Sequence, residues 1–94
     1  MHPLIENHRT KILDLADRHG VRDVRVFGSM ARGDADDASD VDLLVSLSPE
    51  RTGLALGALL MDVQGLLNRR VEVVTENSLH PEIRDRILKE AQTL

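Results

Sequence analysis

Between Pro3 and His19 the positions Leu4, Ile5, His8, Ile12, Leu15 and Ala16 recur at helical spacing. Pro3 suits a first turn and Gly20 a stop, so this segment predicts a helix with one buried stripe. Val24, Val26 and Phe27 predict a short strand that Gly28-Ser29 breaks. After a polar loop, Val41-Asp42-Leu43-Leu44-Val45 is a nearly continuous apolar run of the kind covered on both faces, into which Asp40 and Asp42 intrude. Ser46 to Gly53, with Pro49 inside it, reads as a loop. Leu56, Leu59, Leu60, Val63, Leu66 and Leu67 restore helical spacing between Leu54 and Asn68, and Val71 to Thr75 predicts a third strand. A last helix of about a dozen residues opens at Pro81 and carries Ile83, Ile87, Leu88 and Ala91.

The order reads α-β-α-β-α, with room for a single helical turn after the first strand. The expected class is α/β (α+β): a small mixed sheet of three or more strands flanked by helices. The crossover between the second and third strands is long enough to make them parallel. The first two strands are joined by a shorter segment and can pair antiparallel. That arrangement sets Gly28 and Ser29 beside Asp40 and Asp42, and a parallel third strand brings Glu72 to the same end.

Composition narrows the function. The 94 residues predict one small domain over 1–94, in which folding removes about 60–68% of the chain's surface from water. Twelve Lys+Arg against sixteen Asp+Glu leave a net charge of −4, the wrong sign for non-specific nucleic-acid binding. Phe27 is the single aromatic residue, too few for a base-stacking platform. Without cysteine there is no thiolate metal site and no thiol nucleophile. No segment reads as a signal peptide or a membrane span, so the expected location is cytoplasmic.

The two carboxylates in an apolar strand are the chemical anomaly. On a strand, Asp40 and Asp42 point to one face about 6–7 Å apart, and they repel unless a cation lies between them. Mg²⁺ is the natural partner, since it is commonly held by one or two carboxylates plus substrate phosphates. Glu72, the only acid in the third strand, is the candidate third ligand. Gly28-Ser29 and the following turn can cradle phosphate through backbone amides and a hydroxyl, with Arg32 adding positive charge.

Gly28-Ser29, ten residues, then Asp40-Val41-Asp42 resembles the signature of the DNA-polymerase-β-like nucleotidyltransferase superfamily. The string VFGSMARGDADDASDVDLLV is similar to its minimal nucleotidyltransferase branch, whose members are encoded beside HEPN-domain partners. The tail RRVEVVTENSLHPEIRDRILKEA resembles the closing strand and helix of that branch, so the likeness spans essentially the whole chain. One departure is Glu72, where the family usually has Asp. The resemblance implies a polymerase-β-like fold and Mg²⁺-dependent transfer of AMP from ATP, with pyrophosphate released, to a hydroxyl side chain of a HEPN toxin for which the chain is the antitoxin. It assigns Asp40, Asp42 and Glu72 to two metal ions, Glu72 also to accepting a proton, and Gly28 and Ser29 to the β- and γ-phosphates. Arg32 is a further phosphate candidate.

Two alternatives share the same residues. In one, the antitoxin neutralises a HEPN ribonuclease by binding alone, which Glu72 and the apolar third helical segment motivate. In the other, the acceptor is a small molecule or an RNA end. The remaining features have plainer readings. Asp34, Asp36 and Asp37 suit turn chemistry. His2, His8, His19 and His80 suit capping or packing, and Arg69-Arg70 a solvated helix end. Leu54, Leu56 and Met61 belong either to a well-covered core helix or to a partner or self-association surface.

Overall fold

The computed structural model describes residues 1–94. Its elements are α1 (Pro3–Arg18), β1 (Val21–Phe27), α2 (Ser29–Arg32), β2 (Val41–Leu47), α3 (Gly53–Leu67), β3 (Val71–Val74), a 3-10 turn at Glu76–Ser78, α4 (Pro81–Glu90) and β4 (Gln92–Thr93). Both long-range pairings expected for the strands form. β1 and β2 are antiparallel, with Phe27 opposite Asp42, and β2 and β3 are parallel, with Asp42 opposite Glu72. The sheet is mixed and four-stranded, in the order β3-β2-β1-β4.

β2 runs on through Ser46 and Leu47, expected as loop, because they pair with Arg22 and Val21 of β1, and the other differences from the expected elements also have identifiable causes. β1 begins three residues earlier than its apolar positions suggest, because Asp23 takes a positive φ of 52° and shifts the register between Arg22 and Arg25. That kink interrupts the strand's alternation. α4 stops at Glu90, because Ala91 is extended (ψ 135°) and leads into β4, a two-residue strand that pairs with Arg25 and Val26 of β1. The α-β-α-β-α reading thus gains a closing strand, and the single helical turn for which it left room is α2.

The alternation of β1 and β2 partitions the molecule. Val24, Val26, Val41, Leu43 and Val45 join Ile5, Ile12 and Ala16 of α1 and Leu59, Val63 and Leu67 of α3 in a core of fifteen buried residues. On the opposite face Phe27 and Leu44 meet Leu79 and Ile87, a cluster of four beneath α4. Histidines cap two of the helices. Nδ1 of His2 accepts the Leu4 amide, and Nδ1 of His80 accepts the Glu82 amide. His19 closes α1 and pairs through Nε2 with Asp62 at 2.7 Å, while His8 Nδ1 lies 2.8 Å from the Leu4 carbonyl oxygen. No helix is long and apolar enough to cross a membrane.

Candidate active site

The site lies on the α4 face, where β1 ends and β2 and β3 begin. Phe27, Asp42 and Glu72 stand side by side across the three strands. Asp42 is half-buried, Glu72 is exposed, and Asp40 is exposed just before the first residue of β2. The structure therefore brings the three expected carboxylates to one end of the sheet.

Gly28 follows immediately after β1 with φ 72° and ψ −155°. Only glycine adopts this conformation readily, and an added Cβ would run into the Asp42 carboxylate. Glycine here is required both by the turn and by the close approach of its backbone to an acid. Ser29 opens α2, which Met30 and Ala31 bury against the core while Arg32 faces solvent.

Burial, together with the charges of Glu72, Asp40 and Glu90, raises the Asp42 pKa above the usual carboxylate value. A half-buried acid among three like charges is a cation-seeking arrangement. No three acidic or histidine groups close into a ready-made cage. Mg²⁺ does not need one, since one or two carboxylates and substrate phosphates commonly hold it. The donor set fits a hard divalent ion.

Two features go beyond the residues that the sequence singled out. Glu90, in the last turn of α4, accepts the Gly28 amide through Oε2 at 2.8 Å and Arg32 Nη1 through Oε1 at 2.5 Å. Arg32 also donates from Nε to Asp34 at 3.1 Å, and the two carboxylates, Glu90 first, raise the guanidinium pKa. Burial alone would raise the pKa of Glu90, but the Arg32 and Gly28 hydrogen bonds prevail and lower it. The signal in the sequence was faint: Glu90 stands three residues beyond Ile87, on the same helix face. Gly28, Arg32 and Glu90, with Asp42 and Arg86, line a cleft of about 410 Å³.

The other unforeseen contact corrects the reading of Arg69, though not of Arg70, as part of a solvated helix end. Arg69 Nη1 donates to the carbonyl oxygens of Asp36 (2.7 Å) and Ser39 (3.0 Å), bracing the acidic loop that leads to Asp40. Arg70 Nε lies 3.7 Å from Asp40 Oδ2, largely in solvent. Within the loop Asp36 accepts the Ala38 amide and the Ser39 hydroxyl, and these bonds lower its pKa. That is the expected turn chemistry. On α3, Leu54 and Met61 are 84% and 65% exposed, whereas Leu56 packs partly against the core.

Residues 6–94 match the family model described as a nucleotidyltransferase domain. The protein adenylyltransferase MntA of Thermococcus cleftensis is 39% identical over 77 residues, covering 82% of this chain and 78% of that one. A Methanocaldococcus jannaschii protein, named as a candidate protein adenylyltransferase, is 38% identical over 87 residues, covering 93% and 94%. Among solved structures, a candidate minimal nucleotidyltransferase superposes with a TM-score of 0.86 at 44% identity, covering 100% of this chain and 97% of that one. A toxin-antitoxin structure with AMP-PNP shares the fold at a TM-score of 0.75 and 20% identity, covering 89% and 69%.

Proposed function

Because the chain belongs to the nucleotidyltransferase domain family, we propose that residues 1–94 form one catalytic domain that transfers AMP from ATP to a hydroxyl side chain of a HEPN toxin and so acts as its antitoxin in the cytoplasm. The observation that carries this reading is the meeting of Asp40, Asp42 and Glu72 at the sheet end that also holds the Gly28-Ser29 turn. Relatives named protein adenylyltransferase support a protein acceptor. The toxin-antitoxin structure sharing the fold supports a toxin as that protein.

In this reading Asp40, Asp42 and Glu72 hold Mg²⁺, which when bound neutralises charge on the phosphates and favours ionisation of the attacking hydroxyl. Gly28 and Ser29 orient the β- and γ-phosphates through a backbone amide and a hydroxyl, with Arg32 alongside. Glu72 takes the proton of the acceptor hydroxyl. The acceptor oxygen forms a bond to the α-phosphorus as the bond to the pyrophosphate oxygen breaks, so one AMP is transferred and one pyrophosphate released. Incubating the chain with α-labelled ATP, Mg²⁺ and the protein encoded by the adjacent gene tests it: label on that protein is expected, and its absence with both proteins folded overturns the reading.

The exposed Leu54 and Met61 favour a second reading, neutralisation by binding alone. Neutralisation that survives changing both Asp40 and Asp42 to Ala would select it.

A further inference from the structure

Glu90 occupies the Gly28-Arg32 turn to which the proposed function assigns phosphate. One carboxylate oxygen takes the Gly28 amide and the other takes the Arg32 guanidinium, which is two-point recognition of an anion by the donor types that bind phosphate oxygens. The Glu90 side chain is only 19% exposed, and it faces a cleft already carrying the Asp42 charge. A carboxylate enclosed beside another acid is unfavourable unless strong donors hold it there.

We propose that Glu90 is an internal substitute for phosphate: its carboxylate closes the Gly28-Arg32 cradle, and a nucleoside triphosphate enters only by displacing it. The inference rests on the nucleotidyltransferase reading of the site. Its position makes the exchange feasible. α4 is held by the Phe27-Leu44-Leu79-Ile87 cluster, and the chain beyond it by β4 and by the Gln92 side chain on the Ala31 carbonyl, so the exchange asks for movement of the Glu90 side chain and not of the helix. Arg86, one turn earlier on α4 and lining the same cleft, is at hand for the displaced carboxylate or for the arriving phosphates. The cradle is then competent only in the fraction of molecules whose Glu90 has left it, and the apparent dissociation constant for nucleotide is raised by the inverse of that fraction.

The test compares the wild-type chain with Glu90→Ala, Glu90→Gln and, as a control, Asp85→Asn, an exposed acid on the same helix. Each is titrated by calorimetry with Mg²⁺ and the non-transferable analogue α,β-methylene ATP. The Gly28 amide proton shift is read by NMR without ligand, which checks both folding and the Glu90 contact. Glu90→Ala is expected to tighten analogue binding about tenfold and Glu90→Gln about threefold, because Gln still accepts the Gly28 amide but carries no charge for Arg32. Asp85→Asn should bind as the wild type does, and both Glu90 variants should move the Gly28 amide. If the wild type binds and a folded Glu90→Ala chain binds equally or more weakly, the inference falls while the nucleotidyltransferase reading stands. Equal tightening by Asp85→Asn overturns it as well, by reducing the effect to net charge. Binding by none of the chains removes the nucleotide reading and this inference together.

Discussion

Toward α1 and α3 the sheet presents Val24, Val26, Val41, Leu43, Val45 and Val71, each no more than 4% exposed. Toward α4 it presents Phe27 and Leu44, and then Asp42, Glu72 and Arg25. The difference follows from one strand: successive residues of β2 face opposite sides, so Val41, Leu43 and Val45 build the core while Asp42 is delivered to the other face. Buried apolar packing is concentrated on the sealed side. The carboxylates occupy the side that is not sealed, because charged groups are costly to bury without a partner.

The strongest challenge to this division is to change Asp40 and Asp42 together to Ala. Transfer of label should fall by about a thousandfold or more while far-ultraviolet circular dichroism is unchanged; loss of fold would show that the reactive face also carries stability. Next are paired truncations. Leu43→Ala should cost about 3–4 kcal/mol in urea denaturation and Ile87→Ala about 2; equal costs would erase the contrast between the two cores. Gly28→Ala, with its Cβ forced against the Asp42 carboxylate at positive φ, should cost about 1–2 kcal/mol and weaken analogue binding.

The smallest effect sharpens the comparison through pH. Asp42 has a raised pKa when folded, so the folded chain holds its proton more tightly than the unfolded one does. Its contribution to stability is therefore best at low pH and is lost as pH rises through the folded value. In metal-free chain at neutral pH, Asp42→Asn should gain about 0.5 kcal/mol after allowance for solvent screening, or roughly 2–4 °C in thermal midpoint. The gain should close as pH falls through the folded Asp42 pKa, and a constant gain would show that charge is not its source.

The fold was legible where one physical signal dominated. Helical spacing placed α1 and α3, and Pro81 opened α4. The length of the crossover made β2 and β3 parallel, and that pairing alone carried Glu72 to Asp42. What escaped was set by tertiary contact. β4 has two residues and no pattern of its own, and its pairing exists only because β1 offers an edge. Glu90 carries no pattern that singles it out in the sequence, and Arg69 looked like a solvated base. Each finds its role against backbone groups far away in the chain, Gly28 for one and Asp36 and Ser39 for the other.

Glu72 stands on β3, and β3 is an outermost strand of the sheet. No further strand lies beyond it, and its side chain is exposed. The Glu72 carboxylate can therefore be reached from the side, without passage through a cavity. Under the proposed function, an acceptor would be selected by how well its hydroxyl reaches this open margin.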